Sequence, residues 1–159
     1  MRILFVAHGI YIELEKAAAF VNSCGSGRIH YLQADALRQV VSLDAVRSLL
    51  PDVDAVIVRQ TGSDRALVLR GEESEVQRVE RIAIEEAARA KKSIGVIGTM
   101  STVLAPHMKE CSKSIRVIGL YNFRTDPSGG LSDSLVGKIV PFYDTPASAR
   151  EFIKHLQSS

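Results

Sequence analysis

The chain has 159 residues, of which 46% are hydrophobic and 24% charged, and 20 basic against 18 acidic side chains leave a net charge of +2. That is the size and composition of one ordinary domain with a core of its own, which excludes a disordered chain and a scaffold that needs disulfides or metal to fold. Basic residues are scattered, with no block longer than Lys91-Lys92. This distribution argues against a nucleic-acid binder that tracks phosphates along a basic face.

The first apolar run, ILFVA, stops at His8-Gly9. It is shorter than the roughly 7–15 apolar residues of a secretory signal and reads as a strand. No run approaches the ~18 apolar residues of a membrane-spanning helix, so a cytoplasmic protein without membrane contact is expected. Cys24 and Cys111 lie far apart without CxxC spacing, which predicts two reduced thiols rather than a disulfide.

Residues 12–22 read as a helix, with Leu14, Ala17, Ala18 and Val21 along one side, ended by Cys24-Gly25-Ser26-Gly27. Arg28 to Gln33 is predicted as the second strand. Ser42 caps a helix carrying Val46, Leu49 and Leu50 that Pro51-Asp52 terminates. A third strand, AVIV, starts from Asp54. The segment from Arg65 to Arg70 fits either a short strand or a turn of helix.

Ser74-Glu75-Val76-Gln77 matches a capping box and opens the longest helix, with Val76, Val79, Ala83 and Ala87 in one stripe. Spacing predicts a Glu85–Arg89 pair on its surface, with Lys91-Lys92 at its negative end. Ser93 to Gly98 is a fourth strand. Residues 102–112 hold a short helix with Pro106 in its first turn, and Arg116 to Tyr121 is a fifth strand. Thr125 to Asp133 reads as a loop over the strand ends. Lys138 to Tyr143 is a sixth strand, and Thr145-Pro146 then starts a helix whose Ala149, Phe152, Ile153 and Leu156 share a face.

Strand runs alternating with helical patterns predict βαβ units. The expected architecture is one α/β domain over 1–159, a three-layer α/β/α sandwich. Its sheet is mostly parallel, with five or six strands. In such sheets ligands gather beyond the carboxyl ends of the strands, and the polar residues after each run are therefore the candidate site.

Thr61, Gly62, Ser63 and Arg65 follow the third strand, where glycine admits a close backbone approach and hydroxyls with an arginine suit an anion. The same residues also make ordinary turns. Thr99, Ser101 and Thr102 follow the fourth strand at a helix start, which serves equally as an anion cradle or a cap. Asn122, Arg124 and Asp126 lie two apart after the fifth strand, so that extended backbone would turn them one way. His8 with Gly9 ends the first strand, and an imidazole titrating near neutral pH can act as a general base there or simply bond a neighbouring loop. Asp126 is the carboxylate chosen to accompany His8 in a catalytic role.

Asp35, Asp64, Asp126 and Asp144 each follow a strand, but no pair has a recognised ligand spacing, so no metal site is assigned. His30, His107 and His155 carry no role, His155 being expected to face solvent. Tyr11, Tyr31, Tyr121 and Tyr143 read as packing residues with a wet hydroxyl. The glycines of Gly25-Ser26-Gly27 precede a strand instead of following one, which excludes a dinucleotide fingerprint. Neither GxxxxGK[ST] nor GxSxG occurs.

The order of elements resembles response-regulator receivers and other flavodoxin-like modules, with His8-Gly9 and Arg59-Gln60 standing where receivers carry acidic residues. The ends MRILFVAHG and VPFYDTPASAREFIKHL are loosely similar to the edges of nucleotide-sugar glycosyltransferase domains. The reading that emerges is a flavodoxin-like or Rossmann-like domain that binds a small anionic molecule, with nucleotide-derived compounds among the candidates. Its cofactor is unknown. The alternatives are a small transferase or hydrolase using His8 and Asp126, and a degenerate receiver-like interaction module. Modest size and open sheet edges leave room for a homodimer, although no coiled-coil seam specifies one.

Overall fold

The computed structural model describes residues 2–8, 28–34, 42–60, 75–98, 111–120, 138–142 and 145–157. The expected segments 12–22, 65–70 and 125–133 lie outside the described residues, as do 102–110 of the short helix placed before the fifth strand. Six strands, β1 (Arg2–His8), β2 (Arg28–Ala34), β3 (Ala55–Arg59), β4 (Ser93–Gly98), β5 (Ile115–Leu120) and β6 (Lys138–Pro141), form one sheet in the order β2-β1-β3-β4-β5-β6. Every pairing is parallel. The helices are α1 (Leu43–Leu49), α2 (Glu75–Arg89) and α3 (Pro146–Gln157).

Alternation along each strand divides the core in two. Leu4, Val6, Val56, Val58, Ile94 and Val96 belong to a cluster completed by Val46 of α1 and by Val79, Ala83, Ile84 and Ala87 of α2. Ile3, Phe5, Ala55, Ile57 and Ile97 face the other way and join Phe152, Ile153 and Leu156 of α3. The chain is thus a three-layer α/β/α sandwich with a wholly parallel sheet, of the flavodoxin-like or Rossmann-like kind. This is why the central strands read as unbroken apolar runs.

Between β4 and β5 the register shifts: Ile94 pairs with Ile115 but Gly95 with Val117, leaving Arg116 as an extra, exposed residue. The bulge resets the alternation. Ile115 enters one core and Val117, two residues on, enters the other.

Helix ends follow the local chemistry. The Ser42 hydroxyl accepts from the Ala45 N–H at 3.4 Å, and α1 gives way at Leu50 to a 3-10 turn that contains Pro51. Thr145 Oγ1 accepts from the Ser148 N–H at 3.3 Å, with Pro146 as the first residue of α3. At the end of α2, Lys92 N–H donates to Ala87 O and Lys91 N–H to Ala88 O. Those bonds define a Schellman motif whose left-handed residue is Lys91, at φ 57°.

Several expectations need correction. Glu85 pairs with Arg81 at 3.1 Å, one turn toward the amino end, instead of with Arg89. The α2 stripe includes Glu80 and Ile84 as buried residues, while Val76 is only half-buried. β3 begins at Ala55, because Asp54 is exposed and accepts the Arg2 N–H on its carboxylate at 2.8 Å. β5 starts one residue earlier than Arg116, at Ile115. β6 ends at Pro141, with Phe142 N–H still donating to Leu120 O. His155 is only partly exposed: 22% of its side chain meets solvent, and its Nε2 lies 2.9 Å from Oε1 of the exposed Glu151.

The seat of α3 is made by two glycines. A β-carbon at Gly95 would lie 2.7 Å from Phe152 Cζ, and one at Gly119 would lie 3.0 Å from Phe142 Cβ and 3.2 Å from Phe152 Cδ2. The two phenylalanine rings meet edge to face with centroids 5.6 Å apart. Gly95→Ala is therefore expected to cost about 1–3 kcal/mol through overpacking. In urea denaturation its penalty should shrink in a Phe152→Leu background, and additive penalties would refute the shared seat. Lys91→Gly removes a β-carbon from left-handed backbone and should raise stability by up to about 1 kcal/mol, read as a higher urea midpoint at unchanged slope.

Candidate functional site

Because all six strands run the same way, their carboxyl ends form one edge of the sheet. The four polar segments singled out in the sequence follow β1, β3, β4 and β5, which are consecutive neighbours in that sheet. At a strand spacing of about 4.8 Å, their points of departure span roughly 14 Å.

The order also contains one reversal. From β1 the chain crosses to β2 on one side, and from β2 it returns past β1 to β3 and continues to β4 on the other. The carboxyl ends of β1 and β3 therefore flank the topological switch point of the sheet, the place where open α/β sheets bind ligands. The residues at this point are His8 on β1 and Arg59 with Gln60 on β3. The register that sets Val6 beside Val58 brings His8 level with Gln60 when carried two residues further.

Arg59 closes an otherwise wholly buried strand and is itself half-buried. Its Nη1 donates to the carbonyl oxygen of Gln60 at 3.1 Å. Since that carbonyl belongs to the residue after β3, the guanidinium leans along the strand toward the carboxyl edge. Gln60 is 4% exposed, and its N–H donates to Ile97 O at 2.8 Å. That bond extends the β3–β4 pairing one residue past the strand and holds Gln60 in place.

Of the residues proposed from sequence, His8 is described as the last residue of β1. Gly9, Thr61, Gly62, Ser63, Arg65, Thr99, Ser101, Thr102, Asn122, Arg124 and Asp126 lie outside the described residues. Arg59 and Gln60 were not selected in the sequence. The available signal was an arginine and an amide directly after AVIV, but they become noteworthy only once β3 is known to lie beside β1.

Among the described residues, no three His, Cys, Asp or Glu side chains come together as a metal site, and no helix is long and apolar enough to cross a membrane. Cys111 is half-buried and packs against the core that α1 and α2 cover. No family model matches the sequence, and no curated protein or solved structure matches it either.

Proposed function

We propose that this chain binds a small anionic ligand, with nucleotide-derived compounds as the leading class, along the carboxyl edge of its sheet. The observation that supports the reading is the adjacency of the parallel strands β1, β3, β4 and β5, which the four polar segments follow in sequence, with the switch point between β1 and β3. Thr61, Gly62, Ser63, Arg65, Thr99, Ser101, Thr102, Asn122 and Arg124 supply hydroxyls, amides and guanidinium groups suited to phosphate or carboxylate. Gly9 and Gly62 allow the backbone to approach the ligand closely.

Receiver-type phosphotransfer is disfavoured by the end of β3. An acyl phosphate forms on a carboxylate, and Arg59 and Gln60 at that place offer none. The rival with a specific basis is a transferase or hydrolase, in which His8 serves as general base with Asp126 as its partner, because His8 ends β1 beside the switch point.

A thermal-shift screen against nucleotides, sugar phosphates and divalent cations tests both. A ligand present at a hundredfold excess over Kd adds about 2.7 kcal/mol, or roughly 5–10 °C for a domain of this size. Stabilisation by at least one anionic compound is expected, and a panel without any shift overturns the reading. His8→Ala then separates binder from enzyme. Unchanged affinity with lost turnover identifies the catalyst, and absence of turnover in both proteins identifies the binder.

A further inference from the structure

We propose that the amino edge of the sheet, opposite the edge proposed for the small ligand, docks the phosphodiester backbone of a nucleic acid through Arg89, Lys91, Lys92, Lys113 and Lys154. In sequence these cations lie in separate segments, and the fold gathers them. α2 joins the parallel strands β3 and β4, while α3 starts beyond the carboxyl end of β6 and packs on β4, β5 and β6, so both helices run back and bring their last turns to the amino edge. Those turns carry Arg89 and Lys154. Lys91 and Lys92 lead from α2 into β4, and Lys113 belongs to the 3-10 turn Ser112–Ser114 that leads into β5, the neighbouring strand at about 4.8 Å.

Arg89, Lys91, Lys113 and Lys154 are exposed, and Lys92 is half-buried. Among the described residues none of these cations enters a salt bridge: the nearby acids of the same helices are engaged elsewhere, Glu85 by Arg81, Glu86 by Arg47 and Glu151 by His155. The exposed Asp52 and Asp54, before β3, bound the patch on one side. Helix dipoles favour cations at these helix ends, which accounts for Arg89 and Lys154. They do not account for Lys113, which sits in a single 3-10 turn. Lys91 moreover holds left-handed backbone at φ 57°, where glycine would relieve strain. A cation kept there against that cost has its use outside the packing of the fold.

Composition selects the partner. The approaches to β4 and β5 read Ala90-Lys91-Lys92-Ser93 and Cys111-Ser112-Lys113-Ser114. Lys, Ser and Ala are depleted from interfaces between proteins, whereas ammonium groups, hydroxyls and backbone N–H groups are what contact nucleic-acid phosphates. Neither segment holds an aromatic residue on which a base could stack, so the contact is electrostatic and independent of base sequence.

The test measures fluorescence anisotropy of a labelled DNA duplex of about 20 base pairs with the full chain, at salt from about 50 to 200 mM. The wild type should bind duplexes of unrelated sequence equally, with a slope of log K against log salt of about −3 to −5. Lys91→Gly should weaken binding about threefold or more and reduce that slope by about 1, while its urea midpoint stays at or above that of the wild type. Opposite signs for stability and binding cannot come from damage to the fold. Lys92→Gln and Lys113→Gln added to it should bring the loss to about tenfold or more. Arg78→Gln and Arg150→Gln, which remove exposed charge near the amino ends of α2 and α3, should leave binding unchanged. Equal weakening by these two would make the attraction a matter of net charge and overturn the proposal. A wild type that does not bind the duplex at the lowest salt overturns it, as does tighter binding of polyglutamate, which would assign the edge to an acidic protein.

Discussion

Covering both faces of a parallel sheet decides where this protein can keep its chemistry. Leu4 and Val6 on one face and Ile3, Phe5 and Ala7 on the other are all buried, and the same holds for β3 from Ala55 to Val58. A polar side chain at any of these positions would lose its water without a partner, at a cost of one to several kcal/mol by rough estimate. Polar residues are therefore displaced to the strand ends, and parallel pairing collects those ends on one edge. The core and the gathering of the strand ends on one edge are two consequences of one burial pattern.

The two layers of helix are fastened differently. On the α1/α2 face, branched aliphatics of the sheet meet Val46, Val79 and Ile84, and Arg47 of α1 reaches Glu86 of α2 at 2.8 Å on the surface. On the α3 face a large ring is set into a gap. Gly95 and Gly119 bare the backbone of β4 and β5, Phe152 occupies the space, and Phe142 closes its side. These glycines serve packing, since the atoms that a β-carbon would strike are phenylalanine carbons. Close packing of this kind also fixes how β4, β5 and β6 lie relative to one another, because α3 touches all three.

Elements with a local cause could be read directly. Ser42 and Thr145 announce helix starts because their hydroxyls satisfy backbone N–H groups three residues on, and no other part of the chain is needed. The misreadings arose where two local solutions compete. Glu85 has an arginine one turn away on either side, so spacing alone does not choose between them, and the structure pairs it with Arg81. Glu80 interrupts an apolar stripe in sequence, yet it is buried with Val79 and Ala83. Arg116 looks like the start of a strand, but it is the extra residue of a bulge, a feature that exists only in relation to β4.

Taken alone, the order of residues determined the class of the fold, the helix caps and the apolar runs, since each follows from periodicity or from hydrogen bonds a few residues long. Tertiary structure decided the strand order. Four apolar runs buried on both faces are nearly interchangeable in sequence, and what sets them side by side is pairing across long stretches of chain together with the packing of helices over them. With that order came the switch point between β1 and β3, and only then did Arg59 and Gln60 acquire a place beside His8.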